Sequence, residues 1–175
     1  MTTINIDQII HEIKDLPTLP AVVMELLNNV DSEDIDINTI AQNVSHDLAL
    51  TAKCLRYANS SYYSTMVKVA TISQAISVLG LSNFRQVVMS AALSGCFPEN
   101  NCQGFSHKNF WQHANAVAIV AKILARRLNI NQDLAFTAGL LHDTGVLVLV
   151  TCYATEYEAV IAYREEQQVS LIEAE

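Results

Sequence analysis

Apolar residues recur at three- and four-residue steps along almost the whole chain, and that period restricts it to helices that each bury one face. Ile6, Ile9, Ile10 and Ile13 open the pattern, and Val22, Val23, Leu26, Leu27 and Val30 continue it. Between them lies Leu16-Pro17-Thr18-Leu19-Pro20, where Pro17 holds Leu16 out of the helical region and Pro20 suits a first helical turn. Ile37, Ile40, Ala41 and Val44 make the next face. Asp47 is placed to cap the helix of Leu48, Ala52 and Leu55, and Asn59 to Tyr63 reads as a loop. Ser73 and Ser82 are read as caps of the two helices that follow, with Gly80 ending the first.

A polar segment, Pro98 to Gly104, divides the chain into a helical lobe at 1–98 and a second at 99–175, together one domain. The second lobe opens with a helix from about Ser106 to Leu128, followed by a turn at Asn129 to Gln132. Asp133 to Asp143 is apolar on nearly all sides, which predicts a buried helix, with Gly145 ending it. Val146 to Val150 has strand propensity, but an isolated strand has nothing to pair with, so the prediction there is helix. A last helix is expected from Tyr153 to Gln167, with Ser170 capping one more turn. The fold class is therefore all-α, a helical bundle.

Charge narrows the functions open to such a fold. Ten basic and eighteen acidic residues give a net charge of −8, spread evenly over both halves. Direct nucleic-acid binding needs clustered cations facing phosphates, and the only adjacent pair is Arg126-Arg127. The most apolar region, Leu134 to Val150, is broken by His142 and Asp143, and no basic segment precedes an apolar run at Met1, so neither a membrane span nor a secretory signal is expected. The expected location is the cytoplasm. Cys54, Cys96, Cys102 and Cys152 form no C-x-x-C pair and are read as free thiols of a reducing compartment.

Three residues could carry chemistry: His113 on one helix, and the adjacent His142 and Asp143 at the end of another. Imidazole and carboxylate suit zinc, iron, manganese or magnesium, and a cation there could generate a hydroxide for phosphoester hydrolysis. Adjacent helical residues diverge by about 100°, so both can face one ion only where the helix bends or ends. The alternative is structural, with Asp143 bonded to the His113 ring or capping a helix N-terminus, and His142 a satisfied core histidine. In either case the three side chains are expected to lie together, with the imidazole buried enough that Asp143→Ala would leave it without its partner. Glu156, Glu158, Glu165 and Glu166 are nearby carboxylates on what reads as a solvated face. Tyr57, Asn59, Tyr62 and Tyr63 could line a ligand groove or close a loop over the core, and Trp111 is expected between the lobes. The glycines are too dispersed for a phosphate loop, and Ser60, Ser61 and Ser90 lack a nucleophile-elbow context.

Several segments, in order, resemble the HDOD (HD-related output domain) family over essentially the whole chain. They are Leu16 to Pro20; Asp47-Leu48-Ala49-Leu50-Thr51-Ala52-Lys53 with Leu55 and Asn59-Ser60; Ile72-Ser73-Gln74-Ala75-Ile76 with Leu79-Gly80; Phe110-Trp111-Gln112-His113; and Ala138 to Gly145. The last also resembles the signature of the HD superfamily of metal-dependent phosphohydrolases. The resemblance implies an N-terminal bundle followed by an HD-like bundle, with His113, His142 and Asp143 at metal-ligand positions. The superfamily's later aspartate has no match here, and the usual HDOD chain continues further, so the sequence is expected to be a shortened member or a fragment.

The function expected is a non-catalytic bacterial signal-transduction output domain acting through a protein partner or a nucleotide second messenger, with no cofactor required. The alternative is an HD-type metal-dependent phosphohydrolase of nucleotides or cyclic nucleotides, holding a divalent metal on His113, His142 and Asp143. An inactive truncated scaffold is a third reading. A homodimer is also expected, because Leu134, Phe136, Leu140, Leu141, Val146 and Leu149 need cover, from a second copy or from the Tyr153 to Gln167 helix folded back.

Overall fold

A computed structural model describes residues 21, 24–25, 37–60, 68–97 and 102–174. The helix expected at 6–13, most of that at 22–30, the proline segment at 16–20, and Ser61, Tyr62 and Tyr63 lie outside the described residues. Among the described residues every regular element is a helix and none is a strand. In chain order they are α1 Ile37–His46, α2 Leu48–Ala58, α3 Ile72–Leu79, α4 Leu81–Cys96 and α5 His107–Leu128. Then come α6 Gln132–Leu141, α7 Thr144–Cys152, α8 Ala154–Gln167 and the single turn α9 Leu171–Ala174. The residues at 146–150 are helical, as the want of a partner strand required.

Local signals set these bounds. Asp47 caps α2 by accepting from the Leu50 amide at 2.9 Å, and Ser106 caps α5 through the Asn109 amide. Ser170 caps α9 reciprocally with Glu173. Two expected caps move. Thr71, rather than Ser73, starts α3, in a capping box with Gln74 that satisfies donors at both positions. Ser73 lies inside that helix. Ser82 does not cap α4, whose cap is Gly80 at φ +75°; its hydroxyl instead donates to Asp133 at 2.8 Å. Asn59 exchanges two hydrogen bonds with the backbone of Val69.

One core runs through α1 to α7, built on Ile40, Val44, Cys54, Phe84, Val88, Leu140 and Leu147, all fully buried. A smaller cluster of Cys102, Val150, Tyr157 and Ile161 holds α8 against α7. Trp111 is half-buried at the edge of the main core, edge-on to Phe110. All four cysteines are free; burial pushes the Cys54 thiol up to about 12, with Asp47 adding to the shift and Lys53 opposing it.

The most extensive helix contact joins α5 and α6, and small residues make it. A Cβ at Gly139 would sit 2.8 Å from the Ala118 Cα and 3.2 Å from the Ala121 Cβ. Ala114, Ala118 and Ala125 are buried along the same face of α5. The expectation that the α6 helix is buried on all sides is not met. Phe136 and Leu140 are buried, but Leu134 is 55% exposed, and Leu141, Val146 and Leu149 are half-buried within this chain. By length and composition alone Gln132–Cys152 is apolar and long enough to cross a membrane. In the fold that stretch is two helices, with Phe136, Leu140, Leu147 and Val150 in the core.

Candidate HD-type cation site

α6 ends at Leu141, and His142 and Asp143 form a two-residue break before α7. Gly145, expected to end the helix, lies inside α7 instead. The break is at the His-Asp pair itself: His142 keeps helical angles, whereas Asp143 turns to φ −112°, ψ 16°. That turn lets two adjacent side chains converge, which a continuous helix would forbid. The close approach of α5 and α6 through Gly139 brings His113, beside Ala114, to the same point.

The three expected residues are therefore together. His113 Nε2 lies 3.3 Å from His142 Nε2 and 3.5 Å from Asp143 Oδ2, and His142 Nε2 lies 2.9 Å from Asp143 Oδ2. His142 Nδ1–H donates to the Gly139 carbonyl at 2.8 Å, so Nε2 carries the free lone pair. That lone pair faces a carboxylate oxygen and a second imidazole nitrogen, an arrangement that a shared positive charge stabilises. Metal–ligand bonds of about 2.0–2.2 Å at angles near 90–110° put donor atoms roughly 3.0–3.5 Å apart. The observed triangle matches, so the donor set fits a divalent cation with its remaining positions open to solvent.

The site is shallow. The side chains of His113, His142 and Asp143 are 57%, 33% and 43% exposed. The imidazoles are not buried as expected, so Asp143→Ala should cost less than the penalty of a buried unpaired group. Among the described residues no fourth histidine, cysteine or carboxylate joins the group. Glu158 accepts from the Gln103 amide at 2.7 Å, Glu165 pairs with Arg164, and Glu156 and Glu166 are exposed. Beside the triad lies a cavity of about 480 Å³ lined by Ser106, Asn109, His113, Asp143, Tyr157 and Arg164. Sequence reasoning missed the roles of Arg164 and the Gly139 carbonyl: Arg164 stands in no chemical motif, and although Gly139 lies in the Ala138 to Gly145 segment, a backbone carbonyl carries no side-chain signal, so only the fold places them here.

A helical bundle in which one helix offers a histidine to a His-Asp pair at a helix break is an HD-type domain. Its family is specific: the HDOD domain profile matches residues 16–175, and the chain belongs to the HDOD domain family. Among solved structures, an HDOD domain protein of unknown function from Geobacter sulfurreducens matches 95% of this chain with 26% identity and a TM-score of 0.81. A Marinobacter aquaeolei protein described as a "putative signal transduction protein" matches 94% with 28% identity and a TM-score of 0.71. A Shewanella amazonensis protein described as a "putative phosphohydrolase" matches 95% with 31% identity and a TM-score of 0.65. The chain spans 57%, 37% and 63% of those three chains, respectively.

Proposed function

We propose that this chain is a regulatory domain of bacterial signal transduction, located in the cytoplasm, that works by binding a protein or a nucleotide rather than by turnover. The carrying observation is a donor set that, among the described residues, comprises three half-exposed residues, His113, His142 and Asp143, where HD-type hydrolysis draws on a further carboxylate. Membership of the HDOD family and the likeness to the Marinobacter protein support the signalling class. When bound, a divalent cation on these three residues would supply Lewis acidity and lower the pKa of a coordinated water. The protein's own part is to orient His142 through the Gly139 carbonyl and to hold Asp143 at the end of α6.

A second reading, a metal-dependent phosphohydrolase, is favoured by one observation: the cavity beside the triad places Arg164 where a phosphate could meet a cation. An assay of bis(p-nitrophenyl) phosphate and cyclic di-GMP with Mn²⁺ or Zn²⁺ separates the two. The expected result is no hydrolysis above that of His142→Ala. Hydrolysis that survives purification and disappears in His142→Ala would replace the first reading with the second.

A further inference from the structure

On the opposite side of α5 from His113, a cleft runs between α2, α4 and α5. It consists of two adjoining cavities of about 380 Å³ and 750 Å³ that share Arg56, Tyr57, Ser94, Asn115 and Ile119. No member of the triad lines it. Both volumes fall in the range of small-molecule sites.

Its charge runs against that of the molecule. The chain carries a net −8, yet no acidic side chain among the described residues lines either cavity, while Lys53, Arg56 and Lys108 do. Lys53 Nζ is fixed by neutral groups, the Ala91 carbonyl at 3.0 Å and the Ser94 hydroxyl at 3.1 Å. Among the described residues neither Arg56 nor Lys108 is in an ion pair. Three cations gathered without counter-charge make a local positive field in an acidic protein, and that field selects an anion.

A second observation comes from His107, the first residue of α5. The residue lines the wider cavity and is only 8% exposed, and its Nε2 is buried with no hydrogen-bond partner among the described residues, so a small turn of the ring would bring it to a ligand there. Buried polar atoms are almost always satisfied, so this one is suited to a ligand. Arg56 and Lys108 line the same cavity, and with His107 they offer a phosphate one planar fork, one ammonium and one ring nitrogen. Tyr57 and Trp111 add aromatic surface, and Gln112 and Asn115 add amides. Phosphate-binding cations beside aromatic faces are the elements that bind a nucleotide.

We propose that this cleft binds a nucleotide, with its phosphate on Arg56, Lys108 and His107 and its base against Tyr57 and Trp111. The proposal deepens the binding reading by giving the nucleotide a place separate from the cation triad. Trp111 is the only tryptophan, so its fluorescence reports directly on the cleft.

The test titrates the whole chain with AMP, GMP, CMP, UMP, cyclic di-GMP and inorganic phosphate, following Trp111 emission, with calorimetry on any ligand that responds. At least one nucleotide should give a saturable change, binding at least tenfold more tightly than phosphate. An Arg56→Ala, Lys108→Ala double variant should weaken it tenfold or more, while His142→Ala should change it less than twofold. Arg56 and Lys108 are exposed, so the double variant keeps the fold, which circular dichroism verifies. Silence from all five nucleotides, phosphate binding as tightly as a nucleotide, or affinity lost in His142→Ala but not in the double variant would each overturn the proposal. None of these outcomes touches the hydrolysis result, which is read on different residues.

Discussion

Gly139 decides how near α5 comes to α6, and through that distance whether His113 reaches His142. A methyl group there would meet the Ala118 backbone at 2.8 Å, and backbone cannot rotate aside as a side chain can. Gly139→Ala should therefore push the helices apart. Overpacking of this kind costs about 1–3 kcal/mol, less the few tenths to 1 kcal/mol that alanine gains over glycine in a helix interior. Urea denaturation should show a net loss of stability, and a variant as stable as the wild type would contradict the close-packing account. His113, His142 and Asp143 were legible in the sequence because their residue types and order are chemically distinctive. Gly139 was not, since nothing in a sequence says which glycine lies at a helix crossing.

Helix α5 carries more than the cation and cleft residues. Its alanine face packs on α6, and its other face exposes Ile119, Val120, Ile123, Leu124 and Leu128, continued by Ile130 and Leu134 at the turn into α6. Steps of four along a 22-residue helix make this an inclined apolar row, and monomers rarely leave large contiguous apolar surface in water. We propose a second copy of the chain as its occupant, since a twofold dimer pairs the same patch of both copies. Light scattering should give twice the 19.3 kDa chain mass, and Leu124→Glu should halve it. A wild-type monomer at high concentration would contradict this. Helix positions were readable from the apolar period, but which side each helix buries was not. The α6 sequence is apolar all round, so its pattern names no face, and only the packing leaves Leu134 outside. Thr71 displaced Ser73 as a cap for a different reason, one the sequence does carry: both are good caps, and Gln74, three residues after Thr71, completes a capping box only with Thr71.

At the scale of the molecule, an all-helical fold with an even acidic charge gave no sequence hint of a cationic cleft. Lys53, Arg56 and Lys108 lie on α2 and α5, and only the tertiary fold brings them to one place. The triad, by contrast, is announced by local sequence and completed by the break between α6 and α7. The reading of that triad as an HD-type donor set stands most directly on its capacity to take up one added divalent cation, and the proposed binding function does not require that ion. Calorimetric titration with Co²⁺, checked by its visible absorption, tests it without reference to activity. One ion should bind per chain, with affinity falling at least tenfold in His142→Ala and in Asp143→Ala while both variants stay folded. Absence of binding, or binding unchanged when His113, His142 and Asp143 are all replaced by alanine, would contradict it.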